Sequence, residues 1–190
     1  MRKLITIIMI LALFPPAAAL AGDYTPALGM NMRDFILKYN AIEAPLGSPY
    51  VQLSTTVASD WTYFNYHWCA WLYPENTRRV AMILMTKDPF GGKDFVSGLD
   101  TVQLYAASAE DLIPLISLAI RCSRLFSAEL LSVSTSSFCV ADVIQYFFEN
   151  NLKEQGMLAY KQLDAESDYC ISLFYSDGYY FQISTQEAFQ

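Results

Sequence analysis

The chain is short of most of what catalytic and metal centres are built from. It holds a single histidine, His67, in 190 residues, so no imidazole pair exists to bind zinc or iron. Its four cysteines are scattered with no Cys-x-x-Cys among them, which is not the spacing of a common zinc site. There is no Gly-x-Ser-x-Gly around a nucleophile. Gly91-Gly92-Lys93 lacks the spacing and the following Ser/Thr of a phosphate loop. The acidic residues near Asp94 and Asp100 do not follow the order of an EF-hand. Cys69 stands two residues from His67, about 7 Å along a strand, beyond the hydrogen bond that would activate a thiol. The expectation is therefore no catalytic set, no metal and no cofactor.

Positive charge is scarce as well. Twelve Lys and Arg face nineteen Asp and Glu, for a net charge of −7. A phosphate backbone would meet repulsion, which excludes nucleic acid and disfavours anionic sugars and membrane surfaces. Long apolar runs are missing too. The one at residues 4–14 has eleven residues, too few for a transmembrane helix of about 20.

That short run instead completes an export signal. Arg2 and Lys3 precede it, Pro15 and Pro16 break it, and Ala19-Leu20-Ala21 offers small residues at a cleavage site. No cysteine follows Ala21 to take a lipid. The reading is a cleaved secretory signal over residues 1–21, a single globular domain over 22–190, and a secreted or periplasmic protein with no membrane anchor. Losing Arg2 and Lys3 takes the net charge from −7 to −9. In an oxidising compartment the cysteines read as disulfides. Cys122–Cys139 is the favoured pair and Cys69–Cys170 follows by elimination. The Cys122–Cys139 bridge would stabilise by roughly 3 kcal/mol on the chain-entropy view.

The remaining sequence predicts one domain of order α-β-β-β-β-α-α-β-β-β. A helix over 32–44 is capped by Asn31 with Asp34 at its third position. Strands are expected at 50–57, 62–73, 78–87 and 99–106, then helices near 111–120 and 139–149. Strands at 157–163, 169–176 and 179–185 close the chain. Residues 74–77 read as a turn. Asp177-Gly178 predicts a hairpin with the positive φ of a type I′ turn. Runs of strands and helices in this order argue an α+β fold, a mainly antiparallel sheet packed against about three helices.

Aromatics are abundant, and all three tryptophans fall in residues 61–73 beside His67. Taken as one strand, 62–73 splits by parity. Phe64, Tyr66, Trp68, Ala70 and Leu72 share one face; Tyr63, His67, Cys69, Trp71 and Tyr73 share the other. A turn at 74–77 pairs Tyr73 with Arg78, which sets Trp71 beside Val80, Cys69 beside Met82 and His67 beside Leu84. Both faces are then apolar, which suits a core strand or a face for an apolar partner, not a sugar platform.

The functional expectation is a non-catalytic module that binds a protein or an apolar small molecule through Trp61, Tyr63, His67, Trp71 and Tyr73. One alternative is a carboxylate-dependent hydrolase drawing on Glu43, Glu110/Asp111 or Asp164/Glu166/Asp168. The other is a disulfide-stiffened structural protein of the cell envelope.

Overall fold

The computed structural model describes residues 24–42, 53, 61–64, 67–73, 79–88, 97–126, 133–163 and 168–189, with the backbone alone at 61–64, 67, 71–73, 133–135 and 188–189. The signal segment, the turn at 74–77, the Gly91-Gly92-Lys93 loop and the strand expected at 50–57 lie outside the described residues, except for Leu53.

Helix α1, Met32–Ala41, starts as its sequence requires. The Asn31 side chain accepts from the Asp34 amide at 2.8 Å and donates to the Asp34 carboxylate at 3.0 Å. One orphan amide of the first turn is thus satisfied, and the side-chain bond holds the cap in place. Met32, Phe35, Ile36 and Tyr39 form its buried stripe. At the other end, buried Arg121 donates from Nε (3.0 Å) and Nη2 (2.8 Å) to the Tyr39 carbonyl. Its guanidinium also lies over the Tyr39 ring, 4.7 Å from the centroid.

Strands β1 (Trp61–Phe64), β2 (His67–Tyr73), β3 (Val80–Met85) and β4 (Thr101–Ala106) form an antiparallel meander. A 3-10 turn, Ala109–Asp111, leads into α2 (Leu112–Ser123), followed by α3 (Val133–Glu149) and the short α4 (Leu152–Gln155). Strands β5 (Ala159–Gln162), β6 (Tyr169–Tyr175) and β7 (Tyr179–Thr185) form a second meander. The two join where β4 pairs with β7, giving one seven-stranded antiparallel sheet of order β1-β2-β3-β4-β7-β6-β5. The α+β order expected from the sequence is the one observed.

Two local expectations fail in the aromatic region. Residues 62–73 are not one strand: β1 and β2 fold back on each other, with Trp61 opposite Ala70 and Phe64 opposite His67. The β2–β3 register is also one residue away from the expected one. His67 pairs with Met85, Trp68 with Leu84, Cys69 with Ile83 and Trp71 with Ala81. Tyr73 meets Val80 in place of Arg78, an offset of two, and an irregularity between Trp71 and Tyr73, where β2 carries one more residue than β3, brings it back to one. Because side chains alternate, a one-residue slip exchanges every cross-strand neighbour.

All three long helices pack on one face of the sheet. Trp68 and Ala70 of β2 share a single buried cluster with Val80, Met82, Leu84, Val102, Leu104, Phe181, Ile183 and Leu173. Phe35 of α1, Leu115 and Ala119 of α2, and Val140, Val143 and Phe147 of α3 belong to the same cluster. α3 begins earlier than expected, taking in the Ser/Thr stretch from Val133, because Ser136 is buried among apolar neighbours and packing overrides weak helix propensity.

The hairpin expected at Asp177-Gly178 is present, with Tyr175 opposite Tyr179 and Ser176 donating to the Gly178 carbonyl at 3.0 Å. It is not a type I′ turn, since Gly29 and Gly156 are the glycines with positive φ among the described residues. Gly178 is needed for closeness instead. A Cβ there would lie 2.4 Å from the Tyr105 ring and 2.6 Å from the Ala106 carbonyl oxygen. A backbone oxygen in a paired strand cannot yield cheaply, so Gly178→Ala should destabilise by about 1–3 kcal/mol. Chemical denaturation is the measurement, and an unchanged midpoint would show that the β4–β7 joint tolerates displacement.

Candidate functional site

The sheet face turned away from the helices carries the second parity of each strand. On β4, Val102, Leu104 and Ala106 are buried while Thr101, Gln103 and Tyr105 are half-exposed. On β7, Phe181 and Ile183 are buried while Tyr180 and Gln182 are half-exposed. Ile83, Met85 and Phe174 on the same side are half-exposed too.

Register turns these positions into rows. Phe174 pairs with Tyr180, Tyr180 with Tyr105, and Tyr105 with Ala81. Their rings stack along the row: Phe174 and Tyr180 are 5.0 Å apart and nearly parallel at 4°, and Tyr180 and Tyr105 are 5.0 Å apart at 50°. Such cross-strand ring contacts add roughly 0.5–1.5 kcal/mol each beyond burial. The next row is polar: Ser172 faces Gln182, Gln182 faces Gln103, and Gln103 faces Ile83, which faces Cys69. Gln103 Nε2 donates to Gln182 Oε1 at 2.7 Å, and Gln182 Nε2 donates to the Ser184 hydroxyl at 3.3 Å. The small members of the face, Ala81, Cys170, Ser172 and Ser184, are closed to solvent, while the large ones stand half-exposed.

The phenols of this face stay protonated. Burial, a 2.7 Å bond to Asp177 and that carboxylate's charge push the Tyr180 phenol upward. Burial, then the charge of Asp177, raises Tyr105. The row therefore presents neutral aromatic surface at any physiological pH, with no acid or base for chemistry.

The residues expected at the site sit elsewhere on the sheet. Trp61, Tyr63, His67, Trp71 and Tyr73 belong to β1 and β2, at the end of the sheet opposite β5. The side chains of all five lie outside the described residues. Trp71 does fall in the register of the aromatic row, opposite Ala81. The aromatics missed were Tyr105, Phe174 and Tyr180. Their signal was the strict alternation in TVQLYA and YYFQIST, readable as parity but not as a common row until the strand order is known.

The expected disulfides are not there. Cys69, Cys122, Cys139 and Cys170 are all thiols, none joined in a disulfide. Cys69 lies on β2 and Cys170 on β6, four strand spacings apart, or about 19 Å, where a bridge needs Cα atoms within about 7 Å. Cys139 on α3 directs its Sγ to the Leu163 carbonyl at 3.6 Å, and Cys122 closes the end of α2, fully buried. Burial raises the pKa of the Cys69, Cys122 and Cys170 thiols, so none of these three is a ready nucleophile.

The carboxylates proposed for hydrolysis are accounted for, where described, by structure. Arg79 binds Asp111 at 2.9 Å and Glu110 at 2.9 Å. Ser108 donates to Asp111 at 3.0 Å, so its hydroxyl braces a carboxylate and does not cap a helix amide. Glu43, Asp164 and Glu166 lie outside the described residues. Asp168 lines a cavity of about 370 Å³ with Thr25, Ala27, Thr185, Gln186 and Glu187. Both acids there are exposed, so neither is shielded from water as a raised general acid must be. Among the described residues no three His, Cys, Asp or Glu gather as metal ligands, and no helix is long and apolar enough to cross a membrane. Comparison with protein-family models, curated proteins and solved structures returns no match.

Proposed function

We propose that the protein is an exported, non-catalytic binding module whose helix-free sheet face takes an apolar molecule or an apolar segment of a protein partner. The observation that supports it is the in-register row Phe174–Tyr180–Tyr105, half-exposed on the side of the sheet that the helices leave uncovered. Aromatic side chains give large contact area at low entropic cost, and they are enriched where proteins meet partners. The adjoining glutamine row supplies amide donors and acceptors that fix orientation.

Site chemistry argues against turnover. The phenols are held neutral, the described thiol shifts run upward, and Arg79 engages Glu110 and Asp111. The hydrolase and envelope-scaffold alternatives draw no comparable observation in their favour.

A neutral apolar dye such as Nile red is the direct probe, because an anionic one would be repelled by the chain's negative charge. The wild-type protein is expected to bind it saturably. Phe174→Ser with Tyr105→Ser should weaken binding about tenfold, the worth of roughly 1.4 kcal/mol. Equal dye affinity in the double variant, with an unchanged melt, would sink the proposal.

A further inference from the structure

A second surface, distinct from the open sheet face, follows the sheet edge where α3 passes β5. Among the described residues eight large apolar side chains are exposed, and five of them gather here: Phe138, Tyr146, Met157, Leu158 and Tyr160. Phe138, Asp142 and Tyr146 are spaced by four along α3, one above another on the same helix face. Asp142 reaches across to form an ion pair with Lys161 of β5. Between them lies a groove of about 200 Å³ lined by Asp142, Val143, Tyr146, Tyr160 and Lys161.

We infer that this edge is a homodimer interface in which Phe138 of each copy enters the α3–β5 groove of the other. Three observations select a second copy as occupant. The patch carries both halves of the contact, an outstanding ring 68 % exposed and a groove walled by Tyr146 and Tyr160 at 57 % and 55 %, which is the self-complementarity of a two-fold interface. The charges that line the groove, Asp142 and Lys161, neutralise each other, so the groove adds no net charge where two copies of an acidic chain meet. The area also suffices. A fully covered aromatic ring buries roughly 150–250 Å², so the three rings with Met157 and Leu158 offer on the order of 500 Å² per copy. Two copies then bury about 1,000 Å², the lower limit of a specific interface, before exposed neighbours such as Ala141 and Gln145 are counted.

The protein, expressed with its own leader, is tested by sedimentation equilibrium from low to high micromolar concentration. The expected result is a monomer–dimer equilibrium with a micromolar Kd. Phe138→Ser with Tyr146→Ser is expected to raise that Kd at least tenfold with an unchanged melt, since both side chains are exposed. Leu158→Lys, on the far side of the groove, provides an independent arm should the double variant misfold, with the same expected loss. A wild type that stays monomeric throughout overturns the inference. So does a dimer that survives the substitutions in folded protein, because it must then use another surface.

Discussion

Arg121→Ala is expected to lower unfolding free energy by about 3–5 kcal/mol, a loss set by three contributions that vanish together. The side chain is 2 % exposed, so deletion leaves a core cavity. It places two charge-assisted donors on the Tyr39 carbonyl at 3.0 and 2.8 Å, and removing them leaves that oxygen only the longer bond from the Ile42 amide at 3.3 Å. Its stacking on the Tyr39 ring goes as well. Arg121→Met refills much of the volume and removes the cost of keeping a cation dry. Its loss should be smaller, near 2 kcal/mol, and should report the capping alone. Urea denaturation of the three proteins decides between packing and capping. If methionine is as stable as arginine, the guanidinium contributes nothing as a cap and the assignment is wrong.

Asp100→Ala should cost about 2–4 kcal/mol and do so locally. The buried Asp100 carboxylate collects the Tyr24 hydroxyl at 2.5 Å, the Ala27 amide at 2.9 Å and the Lys87 amide. It thus ties the segment before α1 to the end of β3. The backbone bonds Leu28 N to Leu99 O and Leu99 N to Met30 O run alongside and survive the substitution. Hydrogen exchange should therefore accelerate at Ala27 and Lys87 more than in the sheet. Uniform acceleration across the sheet would show that the carboxylate supports the whole domain and not this clip.

The same contact makes a pH prediction. Burial, and then the bond to Asp100, raise the Tyr24 phenol from 10.0 to about 12. A group whose folded pKa is raised favours the protonated folded state. Its contribution is whole below pH 10 and is lost as pH rises from 10 to 12. Tyr24→Phe should remove that part of the alkaline limb, seen as a shallower fall in stability across the window.

Much of this architecture was legible in residue order. Asn31 and Asp34 announced the start of α1, and the start of α2 expected near residue 111 lies at Leu112. Alternation found β4, β6 and β7 within a residue or two. What could not be read was anything that depends on two strands at once. The chain reversal between Phe64 and His67 has no Gly or Pro to mark it, and the irregularity near Trp71 is invisible until β3 is laid beside β2. The row Phe174–Tyr180–Tyr105 went unread for the same reason. The cysteine pairing failed because sequence separation says nothing about how many strands intervene.

The junction of β4 with β7 also sets the order in which the molecule can assemble. Each meander is local, every strand pairing with one that precedes it closely in the chain. Val102 must wait for Ile183, so the core face of β4 has no neighbour on that side until the C-terminal strand has been made. Loop closure of this length comes late and governs speed in sheets of high contact order. A chain delivered N-terminus first would hold the β1–β4 half with the β4 edge still unpaired, the period in which it is most prone to pair with another chain.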